Sequence, residues 1–312
     1  MYLVVGSGAM AEEYVKPLVD MNVDFLVVGR SEESANRFSG RVGVKAISGG
    51  LKNYLSTEKK LIDGAFVTVG VESLYTVTKQ LIEYGVLNIL VEKPAAITIS
   101  ELKELVLLSQ SKKASVYVAY NRRFFSSVLE AEKIIKKDGG VTSFNFEVTE
   151  WGHVIGPLEK ADMIKEAWFL ANTTHVADLA FFLGGNPIEM STYVSDSISW
   201  HPTGTNFSGA GKANSGALFS YSGNWQAPGR WAVEVMTKKS RLILKPMEQL
   251  QIQKVGSINI EQVPLNDTLD KKYKPGLYAQ ISAFLNAEFQ RMCSISEQLN
   301  NTQHYMKMAG YK

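Results

Sequence analysis

Residues 4–11 read VVGSGAMA, a Gly-x-Gly-x-x-Ala pattern that follows an apolar run. Gly6 permits a tight turn, and Gly8 lets the pyrophosphate of a dinucleotide approach the backbone. Ala11 is small enough for a helix to pack on the preceding strand while its N-terminal amides face the phosphates. The predicted cofactor contacts in this segment are Gly6, Ser7, Gly8, Ala9 and Met10. A tight turn without a ligand is the alternative interpretation.

The residues that would meet the adenosine ribose come about 20 positions later, at the end of the second predicted strand. NAD-selective sites place an acidic residue there, which accepts hydrogen bonds from the ribose 2′-hydroxyl. This chain has Arg30 and Ser31 instead. A guanidinium and a hydroxyl can bind a 2′-phosphate, so the sequence favours NADP(H), with NAD(H) as the alternative. A solvated Arg30 beside a helix-capping Ser31 would also fit.

A Glu-Lys-Pro triplet, Glu92 to Pro94, ends the fourth predicted strand. Pro94 disfavours helical geometry at Lys93, so we expect an extended lysine at the carboxyl end of a parallel strand, where ligands of open α/β sheets bind. A desolvated lysine with a lowered pKa can take the proton of a hydroxyl while hydride leaves the same carbon. By composition alone, the triplet also fits a surface turn.

His175 and Asp178 share one flank of a predicted helix at 172–183, because their spacing is i to i+3. They could be a catalytic histidine and its orienting carboxylate, and the alternative is a buried or capping histidine. No metal site is expected, because the other histidines show no ligand spacing with His175. Those histidines are His153, His201 and His304.

The elements that must position these residues alternate along the first 120 residues. Runs rich in β-formers predict strands at 2–5, 25–28, 64–69, 88–91 and 115–119. Apolar residues at helical spacing predict helices at 12–20, 75–84 and 100–111, the last with Ser100 as its N-cap. The order predicts a doubly wound parallel sheet, so residues 1–120 are assigned to an NAD(P)-binding Rossmann domain.

The pattern changes after residue 121, where a helix at 128–137 and a strand at 144–149 precede further strands with turn signals between them. Those strands are predicted at 216–221, 230–237, 241–245 and 249–254. Residues 202–216, rich in Gly, Ser, Asn and Thr, are predicted to form a long surface loop. Residues 121–312 are therefore assigned to an α+β domain with a large, mainly antiparallel sheet for substrate binding and oligomerisation.

An open sheet that carries several large aromatic residues requires a cover for its apolar face, which predicts a homo-oligomer, a dimer or a tetramer. The balance of 33 basic and 31 acidic residues gives a net charge of +2, too small to predict a nucleic-acid partner. The only cysteine, Cys293, excludes an intrachain disulfide and fits a reducing compartment. Without a signal segment or a long apolar run, we expect a cytoplasmic protein with no membrane partner.

Together, these motifs resemble those of the Gfo/Idh/MocA oxidoreductases, named for glucose-fructose oxidoreductase and inositol dehydrogenase. The resemblance covers almost the whole chain and depends on the order and spacing of several motifs, since no single one is very specific. They lie at residues 6–11, 92–94, 119–124, 175–178 before Gly184 and Gly185, 225–231 and 274–278.

The resemblance implies an NAD(P)-dependent dehydrogenase or reductase that acts on CH-OH groups. Hydride would pass between nicotinamide and a hydroxyl or keto carbon of a sugar, cyclitol or nucleotide sugar. Lys93 would move the proton, with His175 assisting and Asp178 orienting the imidazole. Further implied cofactor contacts are Val69, Glu92, Lys93 and Asn121. The implied substrate contacts are Lys93, Tyr120, Arg122, Trp168 and His175.

The chain departs from the family pattern at two positions. Ala171, with Asn172 beside it, stands where many of the family's dehydrogenases carry an aspartate, and Tyr75 stands where the family often has a histidine. The missing carboxylate at 171 keeps a second hypothesis open, a non-catalytic dinucleotide-binding sensor or regulatory protein of the same fold. Large aromatic residues of the second domain could stack on sugar rings, but aromatic residues at strand spacing usually pack a sheet, so the pattern favours core or subunit-interface positions for most of them. They are Trp151, Trp168, Phe169, Trp200, Trp225 and Trp231.

Overall fold

The computed structural model describes residues 1–57 and 61–312, and it divides into two compact units. Unit 1 comprises Met1–Asn121 and Leu269–Leu299, and unit 2 comprises Arg122–Thr268 and Asn300–Lys312. Residues 269–299 therefore belong to unit 1, although they lie inside the segment 121–312 that the sequence assigns to the second domain. Over the described ranges, no helix combines the length and apolar character needed to span a membrane.

Unit 1 is built on a seven-stranded sheet. Its strands are β1 (Tyr2–Val5), β2 (Phe25–Val28), β3 (Ala46–Ile47), β4 (Gly64–Val67), β5 (Asn88–Glu92), β6 (Ser115–Ala119) and β15 (Cys293–Ser294). They lie in the order β15, β6, β5, β4, β1, β2, β3, and every pair is parallel except β15 with β6. This is the doubly wound Rossmann sheet that the sequence predicts, and its central strands are buried because helices cover both faces.

The helices of unit 1 follow the alternating order that the apolar spacing predicts. They are α1 (Ala9–Asp20), α2 (Glu32–Val42), α3 (Gly50–Thr57), α4 (Leu74–Tyr84), α5 (Ile99–Lys112), α10 (Thr268–Lys272), α11 (Leu277–Leu285) and the start of α12 (Ile295–Ala309). The prediction of Ser100 as the N-cap of α5 is wrong. Thr98 is the cap, since its hydroxyl accepts from the Glu101 amide while the Glu101 carboxylate accepts from the Thr98 amide.

Unit 2 contains an eight-stranded sheet, which is mainly antiparallel as predicted. Its strands are β7 (Ser143–Glu147), β8 (Pro187–Ser195), β9 (Asn206–Ala213), β10 (Leu218–Asn224), β11 (Ala232–Met236), β12 (Ser240–Leu244), β13 (Gln251–Lys254) and β14 (Ile260–Gln262). The order is β14, β13, β12, β11, β7, β10, β9, β8, with β7 and β10 parallel. The helices are α6 (Ser126–Asp138), α7 (Gly152–Ile155), α8 (Asp162–Glu166) and α9 (Thr174–Gly184).

The prediction of a surface loop at 202–216 is wrong, because this segment contains β9, which pairs with β8 and β10. Phe207 and Ala213 of β9 are fully buried. The glycines that suggested a loop are required by close packing. A Cβ on Gly209 would lie only 2.6 Å from the Ser191 carbonyl oxygen. Small residues here therefore mark a tightly paired strand.

The phenylalanine side chains of the central strands of this sheet face the core of unit 2, whereas Tyr193 of β8 is 71% exposed. Phe144, Phe146 and Phe219 are buried, and each packs against the ring of Phe181 on α9, with centroids 5.4–6.3 Å apart. On the opposite face, β7, β9 and β10 carry mostly small or polar residues, Asn145, Ser208, Ala210, Ser220 and Ser222, together with Leu218, which is 62% exposed. The apolar cover that the sequence argues for is thus supplied by α9 within unit 2, and self-association stays a prediction.

Candidate functional site

A cavity of about 520 Å³ in unit 1 lies at the carboxyl ends of β1, β2 and β4. This edge is where open α/β sheets bind their ligands. Several predicted cofactor residues line the cavity: Gly6, Ser7, Gly8, Arg30, Ser31 and Val69. The predicted contacts Ala9, Met10, Glu92, Lys93 and Asn121 are outside its lining.

Gly6 and Gly8 have different structural requirements. Gly6 has φ +122°, and a Cβ there would lie 2.7 Å from the Thr68 hydroxyl oxygen, so the turn itself requires glycine. Gly8 has an extended backbone and directly precedes α1, and a Cβ there would meet no atom within 4 Å. The open space beside Gly8, at the N-terminus of a helix, suits a pyrophosphate. The residues present therefore fit a dinucleotide.

Where the cavity meets the segment after β2, its lining includes cationic and hydroxyl side chains. Ser31 caps α2 by accepting from the Ser34 amide, as the alternative interpretation predicts. The Ser34 hydroxyl lies 3.0 Å from the hydroxyl oxygens of both Ser7 and Ser31, which links the glycine-rich turn to the end of β2. Lys52, on α3, also lines the cavity, as Arg30 does. The sequence reasoning missed Lys52, because the turn before α3 brings it there from 22 positions further along the chain.

The Glu-Lys-Pro segment follows β5, next to β4 in the same sheet. β5 ends at Glu92, and half-buried Lys93 lies in the turn that follows. The hydroxyl of Tyr14 donates to Glu92 Oε1 at 2.8 Å, and the amide of Gln298 donates to the Pro94 carbonyl at 3.1 Å. Both neighbours of Lys93 are thus held by buried groups. Burial, with the charge and hydrogen bond of Glu92, raises the pKa of Tyr14 well above its usual value.

Tyr120 and Asn121, which follow β6, also lie in unit 1. Tyr120 is almost fully buried. The side-chain amide of Asn121 donates to the Pro275 carbonyl at 2.9 Å. Asn121 therefore holds residues 274–278, one of the motifs that resemble the family. Their assignments as substrate and cofactor contacts stay predictions.

His175 lies near the start of α9 in unit 2 and is 7% exposed. Its ring packs beside the indole of Trp231, with centroids 6.1 Å apart. The guanidinium of Arg122 lies 4.9 Å from the centroid of the same indole, and that of Arg230 lies 4.6 Å from it. His175 and Arg122, two predicted substrate contacts, therefore meet the same tryptophan.

Asp178 forms a buried, bidentate ion pair with Arg123. The arginine Nε donates to Oδ2 at 2.8 Å and Nη2 donates to Oδ1 at 2.6 Å. Bidentate pairs of this kind fix the geometry of both side chains. Both carboxylate oxygens of Asp178 thus accept hydrogen bonds from Arg123. The role of Asp178 in orienting His175 stays a prediction, and in that role Asp178 would also keep its ion pair with Arg123.

Glu150, between β7 and α7, is a buried carboxylate that the sequence reasoning missed. It accepts hydrogen bonds from Asn172 and Thr173 and pairs with Arg230. Asn172 and Thr173 end a π-helical turn, Phe169–Thr173, which directly precedes α9. No local pattern signals Glu150, because its partners lie 22, 23 and 80 positions away.

Most of the aromatic residues considered for sugar stacking lie in the core of unit 2. Trp168 is buried and packs against Trp200 with ring centroids 6.3 Å apart. Trp151 is the most open of the set, at 47% exposure. The others that are buried are Phe169, Trp225 and Trp231. Trp168 was predicted to contact the substrate, and since its ring is buried, a substrate would have to reach into the core of unit 2 to touch it.

A glycine-rich turn at the carboxyl edge of a parallel sheet, with open space beside Gly8, defines unit 1 as a dinucleotide-binding Rossmann domain. Residues 1–120 match the family model of Gfo/Idh/MocA, described as an oxidoreductase family with an NAD-binding Rossmann fold. This match over the first 120 residues confirms the resemblance of the motifs to that family of NAD-binding oxidoreductases. Comparison with curated protein sequences gives no significant match.

Solved structures share the fold over nearly the whole chain. Levoglucosan dehydrogenase in complex with NADH is 16% identical with a TM-score of 0.81, over 99% of this chain and 95% of that one. UDP-N-acetylglucosamine 3-dehydrogenase GnnA from Acidithiobacillus ferrooxidans is 14% identical with a TM-score of 0.76, over 98% and 95%. An oxidoreductase from Agrobacterium radiobacter in complex with NAD⁺, L-tartaric acid and magnesium is 11% identical with a TM-score of 0.79, over 99% and 94%. At these identities, the likeness establishes the fold.

Proposed function

We propose that this chain is a dehydrogenase or reductase that exchanges hydride between NAD(P)(H) and a hydroxyl or keto carbon of a sugar, cyclitol or nucleotide sugar. The observation that carries the proposal is the position of Lys93. It follows β5 at the carboxyl edge of the sheet whose neighbouring strands β4, β1 and β2 end at the dinucleotide cavity. A proton-transfer group is needed at that edge, because alcohol oxidation releases a proton together with a hydride.

When bound, the nicotinamide supplies the hydride chemistry. The chain's own residues bind the cofactor and manage the proton. Lys93 takes the proton from the substrate hydroxyl oxygen during oxidation and returns it during reduction. Tyr14 and Gln298 fix the two residues that flank Lys93, so the lysine backbone has little freedom to move. For His175 of unit 2, we propose the assisting role in proton transfer that the family resemblance implies. Asp178 contributes to the order of α9 through its pair with Arg123.

A sugar-like substrate is supported by two of the solved structures, which are named as dehydrogenases of levoglucosan and of UDP-N-acetylglucosamine. In this chain, Arg122 and His175 lie at the indole of Trp231 in unit 2. A guanidinium and an imidazole suit the hydroxyl oxygens of a sugar, whereas the buried Trp231 ring already packs against the guanidiniums of Arg122 and Arg230. Within unit 2, we assign Arg122, Trp168 and His175 to substrate binding. For Tyr120 and Lys93 of unit 1, we keep the substrate role that the family resemblance implies.

NADP(H) is the proposed preferred cofactor. The cavity lining carries two cations, Arg30 and Lys52, and one carboxylate, Glu72. The hydroxyl groups of Ser31 and Ser34 adjoin the end of β2, where an NAD-selective site would carry an acid. Both cations can contact a 2′-phosphate, whereas a 2′-hydroxyl would gain little from them.

The experiment is a screen of sugars, cyclitols and nucleotide sugars with NADP(H) and NAD(H), followed through the absorbance of reduced nicotinamide. We expect turnover of at least one substrate class, and its loss in Lys93→Met. Binding of cofactor without hydride exchange across the screen would instead favour the sensor hypothesis, which the alanine at position 171 keeps open. We also propose a cytoplasmic location and a homo-oligomeric state for the enzyme.

A further inference from the structure

Glu150 of unit 2 has a side chain that is only 1% exposed. A buried carboxylate is costly unless other groups neutralise its charge and donate hydrogen bonds to its oxygens. Its partners therefore show which parts of the fold the carboxylate holds together. They form two separate arms, one on each carboxylate oxygen, and both arms lead to His175.

The first arm holds the backbone that carries His175. Glu150 Oε1 accepts from the Asn172 side-chain amide at 2.9 Å and from the Thr173 hydroxyl at 2.8 Å. These two residues end the π-helical turn Phe169–Thr173, and His175 is the second residue of the helix that follows. A π-helical turn is a local departure from regular helix geometry that is frequent at functional sites. The carboxylate thus fixes the direction in which α9 begins.

The second arm holds the aromatic wall against which the imidazole packs. Glu150 Oε2 pairs with Arg230 Nη1 at 3.2 Å. The Arg230 guanidinium lies 4.8 Å from the ring centroid of Trp151 and 4.6 Å from that of Trp231. Trp231 is the indole beside the His175 ring. Through Arg230, the same carboxylate is therefore connected to the indole against which the imidazole packs.

We propose that Glu150 is a positioning residue, which sets the orientation of the His175 imidazole by fixing both the start of α9 and the Trp231 indole. The inference rests on the proposed function in taking His175 as a residue that assists proton transfer. The geometric part concerns the ring of His175 alone, so it can be measured without a substrate. Small displacements of a group that must meet a reacting atom reduce turnover strongly.

Three substitutions separate the two arms. Glu150→Gln keeps the shape and one carbonyl oxygen for the first arm but removes the charge that pairs with Arg230. Arg230→Met removes the second arm at a side chain that is 44% exposed, where the fold tolerates change. Thr173→Val removes one donor of the first arm with nearly unchanged shape. Glu130→Gln, whose carboxylate pairs with Lys133 on the surface of α6, is the matched control.

The first measurement is the NMR spectrum of the histidine rings in the full chain. The chain has four histidines, and His201 and His304 serve as internal references for the His175 signal, because His153 lies close to Trp151, which contacts Arg230. We expect the His175 ring signals to shift or broaden in Glu150→Gln, in Arg230→Met and in Thr173→Val, while the reference signals keep their positions. Glu130→Gln should leave all four rings unchanged.

The second measurement is steady-state turnover on a substrate found by the screen. We expect Glu150→Gln to lower kcat about tenfold, with the Kd of the cofactor changed less than about twofold, because the cofactor cavity lies in unit 1. The double variant Glu150→Gln, Arg230→Met should be no slower than the slower single variant, because both changes break one ion pair. A general loss of folding would instead lower cofactor binding and turnover together.

Unchanged His175 signals and unchanged kcat in a folded Glu150→Gln protein would overturn the inference. Should that variant fail to fold, Arg230→Met and Thr173→Val carry the test, and wild-type His175 signals in both would overturn it equally. A third outcome combines a shifted His175 signal in Glu150→Gln with normal turnover in His175→Ala. It would support the positioning role of Glu150 and remove His175 from the proposed chemistry.

Discussion

Gly6 and Gly8 belong to one sequence motif, yet their substitutions should have opposite effects on stability and cofactor binding. At Gly8 the backbone is extended and a Cβ meets open space, so Gly8→Val should cost the fold only about 1 kcal/mol through a poorer helix N-cap. The valine fills the space that a pyrophosphate needs. Loss of about two charge-assisted hydrogen bonds, each worth about 1.5–3 kcal/mol, weakens cofactor binding about 100-fold or more.

Gly6→Ala is the matched contrast. Its φ of +122° strains any L side chain, at a cost of about 1–3 kcal/mol, and the contact with Thr68 adds about 1–3 kcal/mol of overpacking. We therefore expect Gly6→Ala to lower the unfolding free energy by about 2–6 kcal/mol, several times the effect of Gly8→Val. Urea denaturation measures stability, and calorimetric titration with NADP(H) and NAD(H) measures binding. Near-normal cofactor binding in folded Gly8→Val would refute the assignment of the cavity.

Four further outcomes test other parts of the structure. Arg30→Ala should weaken binding of NADP(H) more than that of NAD(H) in the same titrations, and tighter wild-type binding of NAD(H) would contradict the proposed preference. Lys93→Met should spare cofactor binding but lower turnover about 100-fold or more; turnover equal to wild type would make the Glu-Lys-Pro turn purely structural. Light scattering at micromolar concentration should show a dimer or tetramer, and a monomer alone would exclude self-association. Burial lowers the pKa of His201, so its imidazole binds a proton more readily in the unfolded state than in the folded state. The free energy of unfolding measured by urea denaturation should therefore decrease as the pH falls below about 6.5. His201→Gln should make this decrease with pH smaller.

The nucleotide-binding sheet could be predicted because its strands are short apolar runs, as parallel strands buried on both faces must be. β1, β2 and β6 match their predicted bounds. β9 could not be predicted in this way. Its residues are small because neighbouring strands approach closely, and composition alone does not distinguish such a strand from a loop. The helix at 172–183 was expected, but apolar spacing does not reveal the π-helical turn Phe169–Thr173 that directly precedes α9.

In the candidate site, too, some residues could be predicted from local sequence patterns and others could not. Motif residues such as Gly6, Gly8 and Arg30 were predicted, because the glycine-rich turn and the end of the next strand occur at fixed offsets along the chain. The residues that hold the site in place were missed. Tyr14 reaches Glu92 across 78 positions, and Gln298 reaches Pro94 across 204. Contacts at such separations depend on how the elements pack, which no local pattern records.

Because residues 269–299 belong to unit 1, the order of synthesis and the choice of truncation point both affect folding of this unit. Phe284 packs on Phe66, and Phe289 stacks on Tyr117, so late residues complete the hydrophobic packing around early strands. During synthesis, the edge of β6 stays uncovered until β15 has left the ribosome, after nearly all of unit 2. A fragment cut at residue 121 would expose that edge permanently. The nucleotide-binding unit is therefore completed only after most of unit 2 has been made, although most of its own sequence is translated first.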